Sequence, residues 1–154
     1  MSNLRHLGID ADEIIPHVWQ GGFPGQEARA NLPRAGFQVV VLAAREAQIP
    51  LSQFPPGITI YYLPLDDLPL PLPDITRAAV KKLARKLAAH VQHGENVLVT
   101  CAMGLNRSGL ITGTTLKVLG MPGIEAVRKL RQLRDPQALS NPVFFAYVVR
   151  GRAS

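Results

Sequence analysis

A chain of 154 residues that is 47% hydrophobic supports one globular domain and leaves no room for a second core of comparable size. Its net charge of +6 suits an anionic partner, while an aromatic share of only 6% argues against the base-stacking platform of a nucleic-acid binder. The single cysteine, Cys101, excludes an internal disulfide and a cysteine-cluster metal site, and Pro, Gly or charged residues break every apolar run before the roughly 18 residues of a membrane helix.

In chain order, Met1 to Asp10 lacks the basic start and continuous apolar run of a secretory signal, so a cytoplasmic protein without membrane contact is expected. A short strand is predicted over 17–20, and β-rich runs follow over 38–42 and 58–63. The proline-rich stretch 63–73 reads as a long loop. Over 74–92, Val80, Leu83, Leu87 and Val91 recur at three- and four-residue steps while Lys81, Lys82, Arg85 and Lys86 take another face. This predicts an amphipathic helix capped by Asp74, and its basic face needs no ligand to explain it. Gly94 stops that helix, and the run Val97-Leu98-Val99-Thr100 predicts a strand, over 96–100, covered on both faces. A helix is then expected from Ser108 to about Leu119, a turn at Gly120-Met121-Pro122-Gly123, and closing helices near 124–133 and 142–150. The alternation predicts a single α/β domain over 1–154, with a central, largely parallel sheet of four to five strands flanked by helices. His6, His17, His90 and His93 show no metal-ligand spacing, so no metal is expected; Trp19 and Phe23 read as packing residues, and Arg45 as a surface residue.

The segment Val97-Leu98-Val99-Thr100-Cys101-Ala102-Met103-Gly104-Leu105-Asn106-Arg107-Ser108-Gly109 places a buried strand, a short loop and a helix N-terminus in succession. Backbone N–H groups of Ala102, Met103, Gly104, Leu105 and Asn106 can converge on an anion, and the helix adds the partial positive charge of its N-terminus. Gly104 permits the φ values such a loop demands. The planar guanidinium of Arg107 can hold two phosphate oxygens, and the same field favours the thiolate of Cys101 as a nucleophile.

Cys-x5-Arg-Ser, here Cys101, Arg107 and Ser108, resembles the signature of the protein-tyrosine phosphatase superfamily, and its surroundings resemble the compact dual-specificity branch. His17-Val18-Trp19-Gln20-Gly21-Gly22 is similar to an early strand and turn of that branch, and Ser140-Asn141-Pro142-Val143-Phe144 to the start of its last helix. The resemblance implies a phosphatase-type phosphate loop between strand and helix and no cofactor. It implies that Cys101 attacks phosphorus to form a phosphocysteine, that Arg107 binds the phosphoryl group and that Ser108 helps the thiolate leave. It also implies a phosphorylated protein as substrate.

Phosphomonoester cleavage needs a proton for the leaving oxygen, and a carboxylic acid on a loop is the usual donor. Asp66 and Asp67, in Leu65-Asp66-Asp67-Leu68-Pro69, are the candidates. Asp67 is preferred because the family's acid commonly closes a hydrophobic–acidic–Asp triplet. Thr100 stands where most of the family has His, which implies weaker support of the thiolate. The loop interior Ala102, Met103, Leu105 lacks the lysines of a phosphoinositide-phosphatase loop. Two alternatives stand beside phosphoprotein hydrolysis: an RNA 5′-triphosphatase of the same superfamily, suggested by Asn106-Arg107-Ser108-Gly109 and the basic charge, and a non-catalytic phosphate-binding module, suggested by Thr100.

Overall fold

A computed structural model describes residues 4–151; residues 1–3 and 152–154, the two ends of the expected domain, lie outside the described residues. Strands β1 (Ala11–Ile15), β2 (Val18–Gly21), β3 (Val39–Ala44), β4 (Thr59–Leu65) and β5 (Val97–Thr100) form one sheet in the order β1-β2-β5-β3-β4. β1 is antiparallel to β2, and the other pairings are parallel, with Leu98 of β5 opposite Trp19 of β2 and Val40 of β3. The predicted largely parallel sheet is therefore present, with β5 at its centre.

The two-residue period of the strands sorts the core into two layers. Val39, Val41, Val97 and Val99 face helices α2 (Asp74–Gln92), α3 (Arg107–Val118), α4 (Gly123–Leu133) and α5 (Pro142–Arg150). Val40, Leu42, Leu98 and Trp19 face helix α1 (Gln26–Ala35), which contributes Ala28, Leu32 and Ala35. With both faces covered, β3 and β5 are buried along their whole length, as their unbroken apolar runs require. α3 lies inside the helical layer, every residue from Arg107 to Leu116 buried. Gly113 lets α5 approach, since a Cβ there would fall 2.8 Å from Val148 Cγ1.

Two elements were not anticipated, and two expectations are corrected. β1 and α1 carry no strong pattern: β1 is Ala-Asp-Glu-Ile-Ile, and α1 buries three residues and holds Pro33. β4 runs on through Pro64 to Leu65, where the long loop was expected, because an edge strand tolerates a residue without an N–H. Asp74 does not cap α2; Pro73 is the N-cap and Asp74 pairs with Arg77 one turn on. His90, near the end of α2, bonds the Tyr61 hydroxyl at 2.8 Å and Glu95 at 2.7 Å.

Candidate active site

Residues 101–106 join the end of β5 to the first turn of α3. Four successive carbonyls of this loop are tied outward. Ala102 O accepts from Phe23 N–H at 3.3 Å, and Leu105 O from Leu139 N–H at 3.1 Å. Met103 O accepts from Arg134 Nη2 at 3.0 Å, while Gly104 O accepts from Gln20 Nε2 at 3.0 Å and Arg134 Nε at 3.1 Å. A trans peptide points its N–H opposite its C=O, so the N–H groups of Met103, Gly104, Leu105 and Asn106 turn to the inner side. Gly104 makes the turn at φ +73°, and a Cβ there would lie 2.4 Å from the Gly21 carbonyl carbon. Any other residue would open the loop.

Cys101 sits at the rim of β5, 4% exposed, with Sγ 3.2 Å from Oγ of the fully buried Ser108. That hydroxyl can donate to the sulfur once it is a thiolate. Thr100 donates its hydroxyl to Val41 O at 2.7 Å, so it braces β3 and leaves the loop to other donors.

Arg107 is 7% exposed. Nη1 and Nη2 donate to the two carboxylate oxygens of Glu46 at 2.5 and 2.8 Å, and Nη1 also donates to Leu65 O at 3.1 Å. Sequence reasoning missed Glu46, which lies in the turn Arg45–Ala47 after β3. Hydrogen bonding from Arg107, then from its own backbone, lowers the Glu46 carboxyl to about 2, and the same bond raises Arg107 against the effect of burial. Nε is buried and has no partner among the described residues. In a guanidinium, Nε–H and one N–H of Nη2 point the same way along one edge. Glu46 occupies the far end, so a two-donor edge remains for an anion.

Asp67 accepts from Asn106 Nδ2 at 3.1 Å and from Asn141 Nδ2 at 2.8 Å. The orientation of both amides is set by backbone donors: Asn106 Oδ1 accepts from Asn141 N–H at 2.8 Å, and Asn141 Oδ1 from Val143 and Phe144 N–H as the N-cap of α5. Asn141 also holds Leu68 O at 2.9 Å. Asp67 is thereby fastened to the 101–106 loop, whereas Asp66 turns to Arg45, 3.0 Å away on the exposed side. The sequence signal for Asn141 is a capping Asn before a proline at the helix start.

Among the described residues no group of three or more His, Cys, Asp or Glu side chains could hold a metal, and no helix is long and apolar enough to cross a membrane. No protein-family model matches the chain, and no curated protein matches it. Solved structures do. Human DUSP28 aligns with 24% identity over 90% of this chain and 89% of its own, with a TM-score of 0.75. Tk-PTP in its active form aligns with 22% identity over 92% and 95%, at 0.78. The chain has the dual-specificity phosphatase fold. The human tyrosine phosphatase-like serine/threonine/tyrosine-interacting protein shares it at 18% identity over 90% and 93%, with a TM-score of 0.73. Within the dual-specificity phosphatase fold of this chain, the segment singled out in the sequence, 101–108, joins the central strand to the buried helix, and Asp67 reaches it from the end of β4.

Proposed function

We propose that this chain is a cysteine-dependent phosphomonoester hydrolase that acts on phosphotyrosine, and on phosphoserine or phosphothreonine, of proteins. The observation that carries this reading is the free Nε/Nη2 edge of Arg107, whose Nε is buried, at the end of the loop that begins with Cys101 and turns a row of N–H groups to its inner side. That arrangement fits three equatorial phosphoryl oxygens.

In this mechanism Cys101 Sγ forms a bond to phosphorus as the bond to the ester oxygen breaks, and Asp67 gives that oxygen its proton. A water then attacks the phosphocysteine, Asp67 takes the water's proton, and the S–P electron pair returns to sulfur, where the Ser108 hydroxyl stabilises the leaving thiolate. Asn106, the first residue of the Asn106-Arg107-Ser108-Gly109 segment that together with the basic charge suggested an RNA triphosphatase, is turned to Asp67 and Asn141, which favours the phosphomonoester reading. Purified protein should release phosphate from p-nitrophenyl phosphate and from phosphotyrosine peptides. Tight vanadate binding without turnover would instead mark a phosphate-binding module, and a preference for triphosphate-ended RNA a capping-type enzyme.

Two further results are expected. Asp67→Asn should lower kcat on phosphoserine and phosphotyrosine peptides by about 10²–10⁴-fold, with little loss on aryl phosphates whose leaving groups need no proton. An equal loss on both substrate types would remove Asp67 from the proton transfer. Glu46→Gln should lower kcat/KM about tenfold by loosening Arg107, the weight of one charge-assisted hydrogen bond. The folded Glu46 carboxyl lies below its ordinary value, so its contribution is complete above that ordinary value and is lost only as pH falls through about 2. The acid limb of the pH–rate profile measured above pH 4 should therefore keep its midpoint in Glu46→Gln.

A further inference from the structure

Arg134, the C-cap residue of α4, has a side chain only 6% exposed. All five of its N–H donors are used. Nε donates to Gly104 O at 3.1 Å, and Nη2 to Met103 O and Asp10 Oδ2, both at 3.0 Å. Nη1 donates to Asp10 Oδ1 and Asp12 Oδ2, both at 2.9 Å. Burial works against its charge, yet Asp10 and Asp12 hold it above its ordinary value, and the same bond lowers the Asp10 carboxyl.

A buried guanidinium balanced by two carboxylates adds little stability over an apolar side chain of similar volume. The distinctive feature is where its other edge goes. Two neighbouring carbonyls of the phosphate loop end on it, and their peptide planes carry the N–H groups of Gly104 and Leu105 on the opposite side. Its charge also lies at the oxygen end of both peptide dipoles, which strengthens their N–H ends as donors.

We propose that Arg134 is a positioning residue for the phosphate loop: braced on Asp10, just before β1, and on Asp12 within it, it holds the Met103 and Gly104 carbonyls outward and so aims the Gly104 and Leu105 N–H groups at the bound phosphoryl group. Its consequence for turnover rests on the phosphatase reading; its consequence for anion binding does not. Lysine at this place keeps the charge but has three donors on one nitrogen and cannot span the five acceptor atoms.

The test measures orthovanadate binding by calorimetry, kcat and KM on p-nitrophenyl phosphate, the rate of Cys101 alkylation by iodoacetamide at neutral pH, and the melting temperature, for the whole chain and for Arg134→Lys. Arg134→Lys should weaken vanadate binding and lower kcat/KM by about 10²-fold, the cost of a misplaced donor set, and slow alkylation of Cys101. The paired substitution Asp10→Asn with Asp12→Asn leaves the guanidinium but removes its brace, and should shift the same three readouts in the same direction by about tenfold. Vanadate affinity and alkylation rate within about twofold of wild type in a folded Arg134→Lys protein would overturn the proposal, whatever the change in melting temperature. Should that variant not fold, the Asp10/Asp12 pair decides by the same criterion. Wild-type protein that binds vanadate without turnover would sink the phosphatase reading while the vanadate affinities still rule on Arg134. Wild-type protein that does not bind vanadate would overturn both.

Discussion

Cys101→Ser is expected to reduce phosphate release to background, a loss of about 10⁵-fold or more, the scale on which removal of a covalent nucleophile is felt. A serine hydroxyl is not ionised at neutral pH, and the described side chain hydrogen-bonded to this atom is no base: Ser108 Oγ, 3.2 Å from Sγ, is a hydroxyl that accepts from the thiol. The proposed anion cradle does not depend on sulfur, since the loop carbonyls are held by Phe23, Gln20, Arg134 and Leu139. Vanadate should therefore still bind Cys101→Ser as a reversible ligand, in calorimetry, within about tenfold of its affinity for wild type. Turnover near wild type in this variant would remove Cys101 from the chemistry.

The second large effect is expected at Arg107, where replacement by Lys should cost about 10³-fold in kcat/KM, the lower end of what a phosphoryl-clamping arginine contributes. In the proposed mechanism Arg107 carries two duties at once. Its Nη ends grip Glu46 and Leu65 O, and its Nε/Nη2 edge remains for the phosphoryl oxygens. A lysine ammonium can satisfy Glu46 or the anion, and its single nitrogen cannot present a planar pair of donors to the second. In steady-state kinetics both kcat and KM should worsen. If only KM rises, Arg107 holds the substrate equally well in ground and transition states and does not follow phosphorus through the displacement.

The contrast between Arg107 and its partner Glu46 explains what was legible in the sequence. Cys101, Gly104, Arg107 and Ser108 lie within one strand–loop–helix unit, so a local reading places them correctly relative to one another. Their supports come from afar. Glu46 is 61 residues from Arg107, Asn141 is 74 from Asp67, and Asp10 is 124 from Arg134. No periodicity or cap links such pairs; only the sheet order β1-β2-β5-β3-β4 brings β1, the β3 turn and the α4–α5 connection to one rim. The same holds for the choice between neighbouring carboxylates. The triplet pattern favoured Asp67, and the structure adds the physical difference: Asp67 meets Asn106 and Asn141, Asp66 meets Arg45 in solvent. Among the elements, α2 was readable from its long apolar stripe and β5 from its unbroken run, while α1 and β1 were not, because short elements with few buried residues leave no period to read. Thr100 was read as a weakened support for the thiolate; its hydroxyl is spent on Val41 O, and the hydroxyl that meets Cys101 Sγ is that of Ser108.

The measurement that tests the central claim most directly is the intact mass of the protein, with peptide mapping, after rapid mixing with excess phosphotyrosine peptide and acid quench. A phosphocysteine route predicts one added phosphoryl group, located on Cys101, formed in a burst stoichiometric with enzyme and absent from Cys101→Ser. Steady turnover with no phosphoryl group on Cys101 at any quench time, or with the group on another residue, would contradict it.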